Sequence, residues 1–236
     1  MMLSAQYERP GSASAQFLKI GVSPRAAAMG NSYIAVVRGA EGVYYNPATL
    51  ARFSGTQVAL SHTGWFAGVN HEFLALSHQF GRIGSFGASV TNFHTDPMRV
   101  RTPLQPEGTG ETFRVDHYRL ALSYARVLTD HVSFGANVSM IHMKLYQGFV
   151  QNEFSADIAA LYRTNYRGFN FGLMVSNFGS SVTYVNEQYP LPISFLFGMG
   201  INVLEGENQT VTMTLSGLKP NDNQTLSIET ALHKPE

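Results

Sequence analysis

The sequence contains no cysteine and few charged residues. None of its 236 residues is Cys, one is Trp, and Asp, Glu, Lys and Arg together make up 14% of the chain. Without cysteine, a disulfide framework and a thiolate metal site are excluded. Soluble domains carry about 25% charged residues. A charge content this low argues against an ordinary water-covered surface.

The chain also lacks a charge excess and a long apolar run. Lys and Arg number 16, Asp and Glu number 16, and the net charge is zero. Because nucleic-acid binding needs a basic surface, no nucleic acid is expected as a partner. No apolar run approaches the roughly 20 residues of a membrane helix. If the chain enters a membrane, it must do so as a closed β-barrel, since only helices and closed sheets satisfy every backbone polar group in lipid.

What the sequence has instead is alternation of apolar and small polar residues from about residue 57 onward. In Val132–Lys144, Val, Phe, Ala and Met alternate with Ser, Gly and Asn. The same pattern runs through Asp116–Arg126, Phe154–Arg163 and Ile193–Asn202. Successive side chains of a strand point to opposite faces, so each segment predicts a strand with one apolar face and one polar, small face.

Two architectures give this pattern, a soluble β-sandwich with a buried apolar face and a membrane β-barrel with an outward apolar face. The polar faces carry Ser, Gly and Asn rather than Lys and Glu, and aromatic residues lie near segment ends, as in membrane barrels. Longer and shorter connections also alternate, the longest being residues 93–115. These details predict an all-β, antiparallel transmembrane β-barrel with about ten strands.

The segment Phe17–Arg52 is different, rich in Ala and Gly and without a sustained period. Asn46-Pro47 predicts a helix start, with Asn as N-cap and Pro at the first helical position. Pro24, after Ser23, predicts another short turn or helix. The expected division is an unstructured N-terminus (1–16), this segment (17–53) and the barrel (54–236).

The same segment, FLKIGVSPRAAAMGNSYIAVVRGAEGVYYNPATLAR, resembles the N-terminal part of the PorV/PorQ family of FadL-like outer-membrane barrels. The resemblance continues through HTGWFAGVNHEFLALSH (62–78), LQPEGTGETF (104–113), LALSYARVLTD (120–130), SADIAALY (155–162), NFG (177–179), LPISFLFGMGINV (191–203) and KPNDN (219–223). It therefore covers nearly the whole chain. One departure is Thr49, where the family usually has Gly.

The resemblance implies a barrel of about 14 strands with residues 17–53 folded into the lumen as a plug, or hatch. The plug or gate residues carried over by position are Pro24, Arg25, Met29, Gly30, Asn46, Pro47 and Ala48. Such a plug either fills and stabilises the lumen or moves as a gate. The family continues beyond KPNDN and carries a secretory signal, whereas residues 1–16 lack an apolar stretch. We therefore expect a chain truncated at its C-terminus and without its signal peptide.

Three charged residues fall on the predicted inward face, namely Arg119, Asp157 and Glu229. We expect them to line the lumen, with Asp157 paired to Arg119 or to Arg25. The eight histidines are scattered, and metal sites need clustered ligands, so no metal and no cofactor is expected. No nucleophile motif is present. We expect no enzymatic activity.

Two connections carry candidate contact residues. Trp65 and Phe66 predict either an interfacial anchor or part of a binding surface. The longest connection contains Asp96, Arg99 and Arg101, and long barrel loops often carry recognition.

Two functions follow from the resemblance. The first is a PorV-like accessory barrel of the type IX secretion system, which captures secreted cargo by its C-terminal domain and passes it to the secretion machinery. The second is a FadL-like channel for hydrophobic small molecules. Both place the protein in the outer membrane of a Gram-negative bacterium, in contact with outer-membrane lipid.

Overall fold

The computed structural model describes residues 13–184, 187–206, 209–220 and 227–233, and this part of the chain is all-β. The strands are β1 Thr56–Gly64, β2 Val69–Gln79, β3 Ser85–Thr95, β4 Met98–Arg99, β5 Thr112–Phe113, β6 Asp116–Val127, β7 Val132–Lys144, β8 Val150–Arg163, β9 Asn170–Gly179, β10 Val182–Tyr184, β11 Glu187–Tyr189, β12 Ser194–Glu205, β13 Thr210–Pro220 and β14 Ser227–His233.

Within these described residues, ten strands form one antiparallel sheet in the order β1-β2-β3-β6-β7-β8-β9-β12-β13-β14. Each strand therefore pairs with the next long strand along the chain. The two remaining pairs, β4–β5 and β10–β11, are small hairpins inside two connections. The sheet is not closed in the described part of the chain, since β1 and β14 each have one paired neighbour. The predicted all-β antiparallel class is confirmed, and a closed barrel is not observed.

One face of the sheet is apolar and exposed; we call it the exposed face. The register aligns its side chains in rows across strands β1, β2, β3, β6, β7 and β8. One row consists of Leu60, Leu74, Val90, Leu120, Met140 and Phe154, and the next of Val58, Leu76, Ala88, Leu122, Val138 and Ala156. Leu122 is 70% exposed and Leu60 is 80% exposed. A soluble sandwich would bury these rows.

The opposite face, here the covered face, carries the small and polar residues and is buried. Its buried polar members are His71, Ser77, Ser85, Ser89, Thr91, Arg119, Ser123, Ser133, Asn137, Ser139, Ser155, Asp157, Ser176, Asn177, Ser194, Thr214 and Ser216. A smaller apolar set on this face, including Phe73, Ile141 and Met174, packs against apolar side chains of residues 15–51. The usual placement of polar and apolar side chains is thus inverted across most of the sheet.

The two ends of the sheet differ in their connections. Residues 96–115 join β3 to β6 and residues 180–193 join β9 to β12, and both lie at one end, the long-connection end. Connections at the other, short-connection end are residues 80–84, 128–131, 164–169 and 206–209. The predicted alternation of longer and shorter connections is less regular than expected, because two connections at the long-connection end, residues 65–68 and 145–149, are also short. Strands β1, β2 and β8 extend past the apolar rows to His62, Glu72 and Asn152, where the alternation in the sequence fades.

Most of the described helices lie in the N-terminal segment, which we define as residues 13–53. They are a 3₁₀ helix Gln16–Lys19, α1 Pro24–Ala28, a 3₁₀ helix Gly39–Glu41, α2 Gly42–Tyr45 and a 3₁₀ helix Pro47–Arg52, followed by single 3₁₀ turns at Phe66–Gly68 and Tyr146–Gly148. Both predicted helix starts are confirmed, since α1 begins at Pro24 and another helix at Pro47. Among the described residues, none of the helices is long and apolar enough to cross a bilayer.

The N-terminal segment packs on the covered face, with helix Pro47–Arg52 against β6, β7 and β8. It begins earlier than predicted. The sequence placed residues 1–16 outside any structure, but the Ser14 N–H donates to Pro190 O at 2.9 Å and Ala13 and Ala15 are buried. The rest of that range, residues 1–12, lies outside the described residues. The docked segment therefore includes residues 13–16, held by the connection between β9 and β12.

Candidate functional site

The covered face admits the backbone of the N-terminal segment because it carries glycine at the points of contact. A Cβ placed on Gly135 of β7 would lie 2.3 Å from Ala48 N, and one on Gly172 of β9 would lie 2.9 Å from Ile34 O. No side chain fits at either distance. Glycine therefore lets the segment approach the sheet backbone directly.

Asn46 organises the centre of the segment. Its side-chain oxygen accepts from Ala48 N at 3.1 Å, which caps helix Pro47–Arg52, and its amide donates to Ile34 O at 3.0 Å. Asn46 and Ala48 are fully buried, and Pro47 is buried beside them. The Asn-Pro-Ala motif thus joins two parts of the segment against Gly135 and Gly172. Capping side chains contribute about 0.5–2 kcal/mol.

The charged centre of the site is an ion pair between β6 and β8. Arg119 Nη2 donates to Asp157 Oδ2 at 2.6 Å, and the two side chains are 4% and 0% exposed. This is the first of the two pairings that the sequence left open for Asp157. Residues 38 positions apart meet here because β6, β7 and β8 are adjacent strands.

Two asparagines complete the hydrogen bonding of Asp157. Asn137 of β7 donates from its amide to Asp157 Oδ2 at 2.9 Å and lies 2.8 Å from Val43 O, to which it also donates. The Asn177 N–H donates to Asp157 Oδ1 at 2.7 Å. The carboxylate of Asp157 therefore links β8 to β6, β7 and β9 through hydrogen bonds. Asn137 adds a hydrogen bond from β7 to α2. A buried charge is tolerated when it is paired and hydrogen-bonded in this way.

Tyr44 connects the ion pair to the beginning of the chain. The Arg119 guanidinium carbon lies 5.7 Å from the centre of the Tyr44 ring, within cation–π range. The Tyr44 hydroxyl donates to the carbonyls of Ile20 and Leu18, at 2.6 and 2.9 Å. Burial raises the pKa of Tyr44 above its ordinary value, so the phenol stays protonated and keeps donating at neutral pH.

Tyr45 binds the next stretch of the segment. Its hydroxyl accepts from Val22 N at 2.9 Å and from Ser23 N at 3.0 Å, and burial raises the pKa of Tyr45 to about 12. Ser23 Oγ in turn donates to Glu41 Oε1 at 2.9 Å. The two adjacent tyrosines thus fix residues 18–23 onto the helices that contact the sheet.

A cavity of about 190 Å³ adjoins the ion pair, between the N-terminal segment and strands β9, β12 and β13. Its wall combines Arg119, Asp157 and Asn177 with the apolar side chains of Leu18, Ile34, Met174, Leu196 and Leu218. A cavity with this mixed lining is suited to a small amphipathic molecule beside the buried charge pair. Among the described residues, no three His, Asp or Glu side chains are grouped closely enough to hold a metal ion.

A wider, open cavity of about 730 Å³ lies at the long-connection end. The rings of Phe17, Phe93 and His117 form a triangular cluster there, with the His117 ring centre 5.2 Å from Phe17 and 6.0 Å from Phe93, and the two Phe ring centres 6.1 Å apart. Tyr184 and Tyr189 line the same opening from the β10–β11 hairpin. Phe17 therefore packs the N-terminal segment against the strands at this opening and forms part of the cavity wall.

The predicted contact residues lie at the long-connection end, in two groups. Trp65 and Phe66 are 47% and 80% exposed, with ring centres 5.9 Å apart. Asp96 lies beside them, since its N–H donates to Gly68 O at 2.7 Å. Arg99 and Arg101 are exposed on the arm formed by β4, β5 and residues 100–111.

The predicted plug residues do not form one cluster. Asn46, Pro47 and Ala48 lie against the centre of the sheet. Arg25 and buried Met29 instead line a cavity at the short-connection end, next to the exposed Pro24 and to Gly30, whose φ is +60°. Glu229 belongs to β14, opposite Ser216 in the register, and its side chain lies outside the described part of the structure.

Sequence reasoning missed Asn137, Asn177 and Tyr44. Asn137 and Asn177 look like any small polar residues of the strands. Asn137 meets Asp157 through the register of β7 and β8, and Asn177 meets it where the register of β8 and β9 shifts. One signal was present: Tyr44-Tyr45 directly precedes the Asn-Pro-Ala motif, and adjacent aromatics beside a cap indicate a packed centre.

The fold and this site define an all-β protein whose large antiparallel sheet buries its small polar face under an N-terminal segment. The chain belongs to UPF0164, an uncharacterised protein family, whose sequence profile matches residues 4–157. That range ends at Asp157 and includes Arg119, Asn137 and the whole described N-terminal segment. No curated protein matches the chain.

The ion pair generates a stability prediction. We expect Asp157→Asn to lower the free energy of unfolding by about 3–5 kcal/mol, because it leaves Arg119 buried without its counter-charge. Urea unfolding of the refolded protein, followed by Trp65 fluorescence and circular dichroism, measures the change. Glu111→Gln, on an exposed loop position, is the matched control and should change stability by less than about 0.5 kcal/mol. Equal stability of the two variants would show that the pair does not hold the segment.

Proposed function

We propose that the protein is an outer-membrane β-barrel whose exposed face lies in lipid and whose N-terminal segment fills the lumen as a plug. The observation that carries this proposal is the inverted placement of side chains across the sheet. Rows of Leu, Val, Met and Phe are exposed while Ser, Asn, Arg and Asp are buried. Lipid is the solvent that makes such an exposed face favourable.

A polar belt marks where the apolar rows end. His62, Glu72, Asn92, Tyr118, His142 and Asn152 are in register across six strands at the long-connection end. Several touch: His62 and His94 lie 3.4 and 3.2 Å from the Glu72 carboxylate, and His142 lies 2.8 Å from Asn152. Imidazole, carboxylate and amide groups suit the interface between lipid tails and water.

The spacing of this belt fits a bilayer. On β8, Asn152 of the belt and the exposed Tyr162 are ten residues apart. That distance is about 33 Å along the strand, or about 24 Å of depth at a tilt of about 45°. The apolar band of outer-membrane barrels is about 25 Å tall. Tyr162 and the pair Phe86–Tyr124 would then form the aromatic girdle at the other interface.

Closure of the sheet belongs to the same proposal. Unpaired strand edges in lipid leave backbone groups without partners, at several kcal/mol per group. We therefore propose that β1 and β14 gain strand partners in the membrane, by pairing with each other or with further strands as the PorV/PorQ resemblance implies.

Within this class, the proposed role is that of a PorV-like accessory barrel in type IX protein secretion. Its support is the long-connection end, where exposed Trp65 and Phe66 lie beside Asp96 and the arm bearing Arg99 and Arg101. An aromatic pair flanked by charged side chains is a common form of protein contact surface. The partners would be C-terminal domains of secreted cargo and proteins of the secretion machinery.

A second role, FadL-like passage of hydrophobic small molecules, is favoured by one specific observation. The cavities beside the ion pair and at the long-connection end both carry apolar side chains, and both border the N-terminal segment. Movement of that segment would join them. In this role the plug is a gate; in the accessory role it fills the lumen and supports the loops. Neither role requires enzymatic chemistry.

Single cysteines test the lipid assignment, because the natural chain has none. We expect an environment-sensitive fluorophore on Leu122→Cys, in protein refolded into lipid vesicles, to emit at short wavelength and to be quenched by brominated lipid tails. The same probe on Glu111→Cys should emit as in water and be quenched by aqueous iodide. A probe at residue 122 that responds to iodide and ignores brominated lipid would rule out the proposal.

Binding measurements separate the two roles. In nanodiscs, we expect a cargo C-terminal domain to bind the protein and to bind at least about tenfold more weakly to the Trp65→Ala/Phe66→Ala variant, since buried aromatic anchors often contribute 2 kcal/mol or more. Arg82→Gln, on an exposed turn at the opposite end, is the control. Binding of a fluorescent long-chain fatty acid without any cargo binding would support transport instead.

A further inference from the structure

A third cavity, of about 380 Å³, opens at the short-connection end. It lies between the N-terminal segment and the ends of β8, β9, β12 and β13. Four guanidinium side chains line it: Arg25, Arg38 and Arg52 from the segment and Arg163 from β8. The remaining polar lining consists of the uncharged side chains of Thr49, Asn170, Asn202 and Thr212, and none of the described lining residues is acidic.

Arg52 is held in place by the sheet. Its Nη1 donates to Asp130 O at 2.8 Å and its Nη2 to Thr129 O at 3.4 Å, both in the turn between β6 and β7. Arg52 Nε is buried and has no hydrogen-bond partner among the described residues. The guanidinium is thus anchored to the turn by one edge, with a donor left for another group.

Among the described lining residues, no carboxylate balances the charges of Arg38, Arg52 and Arg163. Burial, together with the nearby charge of Arg163, lowers the pKa of Arg52 below its ordinary value, while Asp130 opposes the shift. The carboxylate of Glu205 accepts from Asn202 Nδ2 at 2.8 Å, and Glu41 accepts from Ser23. Neither acid is among the residues that line the cavity. Arginine remains charged under such crowding, so an anion would relieve the repulsion.

We propose that this cavity binds a phosphate group, as a free phosphate monoester or as the headgroup of an anionic lipid. Guanidinium groups recognise phosphate oxygens through paired charge-assisted hydrogen bonds. Several cations facing one cavity match a doubly charged phosphate better than a singly charged carboxylate. The hydroxyls of Thr49 and Thr212 already donate to Asn46 O and to Asn202 Oδ1, each at 2.8 Å, so the guanidinium groups are the donors offered to the phosphate.

Such a ligand would couple the two layers of the protein. Arg38 and Arg52 belong to the N-terminal segment, whereas Arg163 belongs to the sheet. A phosphate held by both would bridge them and hold the segment on the sheet. The binding site does not rest on the proposed function, because its residues and their charges are the same whatever contacts the exposed face of the sheet.

Calorimetric titration of the refolded full-length chain tests the site. We expect inorganic phosphate and glycerol 3-phosphate to bind at low ionic strength, acetate to bind at least tenfold more weakly, and added salt to weaken binding. Arg163→Gln and Arg38→Gln should each weaken phosphate binding about tenfold, since each removes one charge-assisted partner. Both side chains are exposed, so the variants should fold with an unchanged circular dichroism spectrum.

The control and the lipid arm complete the test. Arg82→Gln, at the same end of the sheet but outside the cavity, should bind phosphate as the natural chain does. If soluble phosphates fail but nanodiscs containing phosphatidic acid bind in an Arg163-dependent manner, the site takes a lipid headgroup. Absence of both, or binding that survives Arg163→Gln and Arg38→Gln alike, overturns the proposal.

Discussion

The rest of this structure depends on the covering of a polar sheet face by the protein's own N-terminal segment. Strands that bury Ser, Asn and Gly gain little folding free energy when those residues are removed from water. The segment supplies what the face lacks: the backbone carbonyl of Val43 for Asn137, close packing at Gly135 and Gly172, and apolar side chains for the few large residues of that face. The exposed rows of Leu, Val and Met can then remain uncovered by protein.

The Arg119–Asp157 pair is the centre of that arrangement because its hydrogen bonds and ring contact reach several strands and the N-terminal segment. Asp157 accepts from three donors on three different strands, and Arg119 reaches Tyr44, which holds residues 18 and 20. Removing either charge leaves the other buried and unpaired. The pair therefore links the register of the sheet to the docking of the segment, and any movement of the segment as a gate must rearrange Tyr44 and α2 beside it.

Much of the fold could be predicted from the sequence, because alternation is a local signal. The segment Val132–Lys144 is the strand β7 with the same bounds, and Asn46 and Pro24 start helices as capping chemistry requires. The ion pair between Arg119 and Asp157 was one of the two pairings expected for Asp157, the other being with Arg25. Asn137, Asn177 and the arginine-lined cavity could not be found, since they depend on register and on residues far apart in the chain. The order of residues 13–16 was missed for the same reason: Pro190 holds them from a distant connection.

The most direct test of the central claim compares refolding with and without a lipid phase. If the exposed face lies in lipid, the chain refolds into vesicles or detergent micelles with a β-rich circular dichroism spectrum and migrates differently on a gel before and after boiling, as closed barrels do. In buffer alone it should aggregate, because the exposed rows have no lipid to contact. A chain that folds to a monomeric, β-rich state in buffer and migrates the same boiled and unboiled would contradict the account.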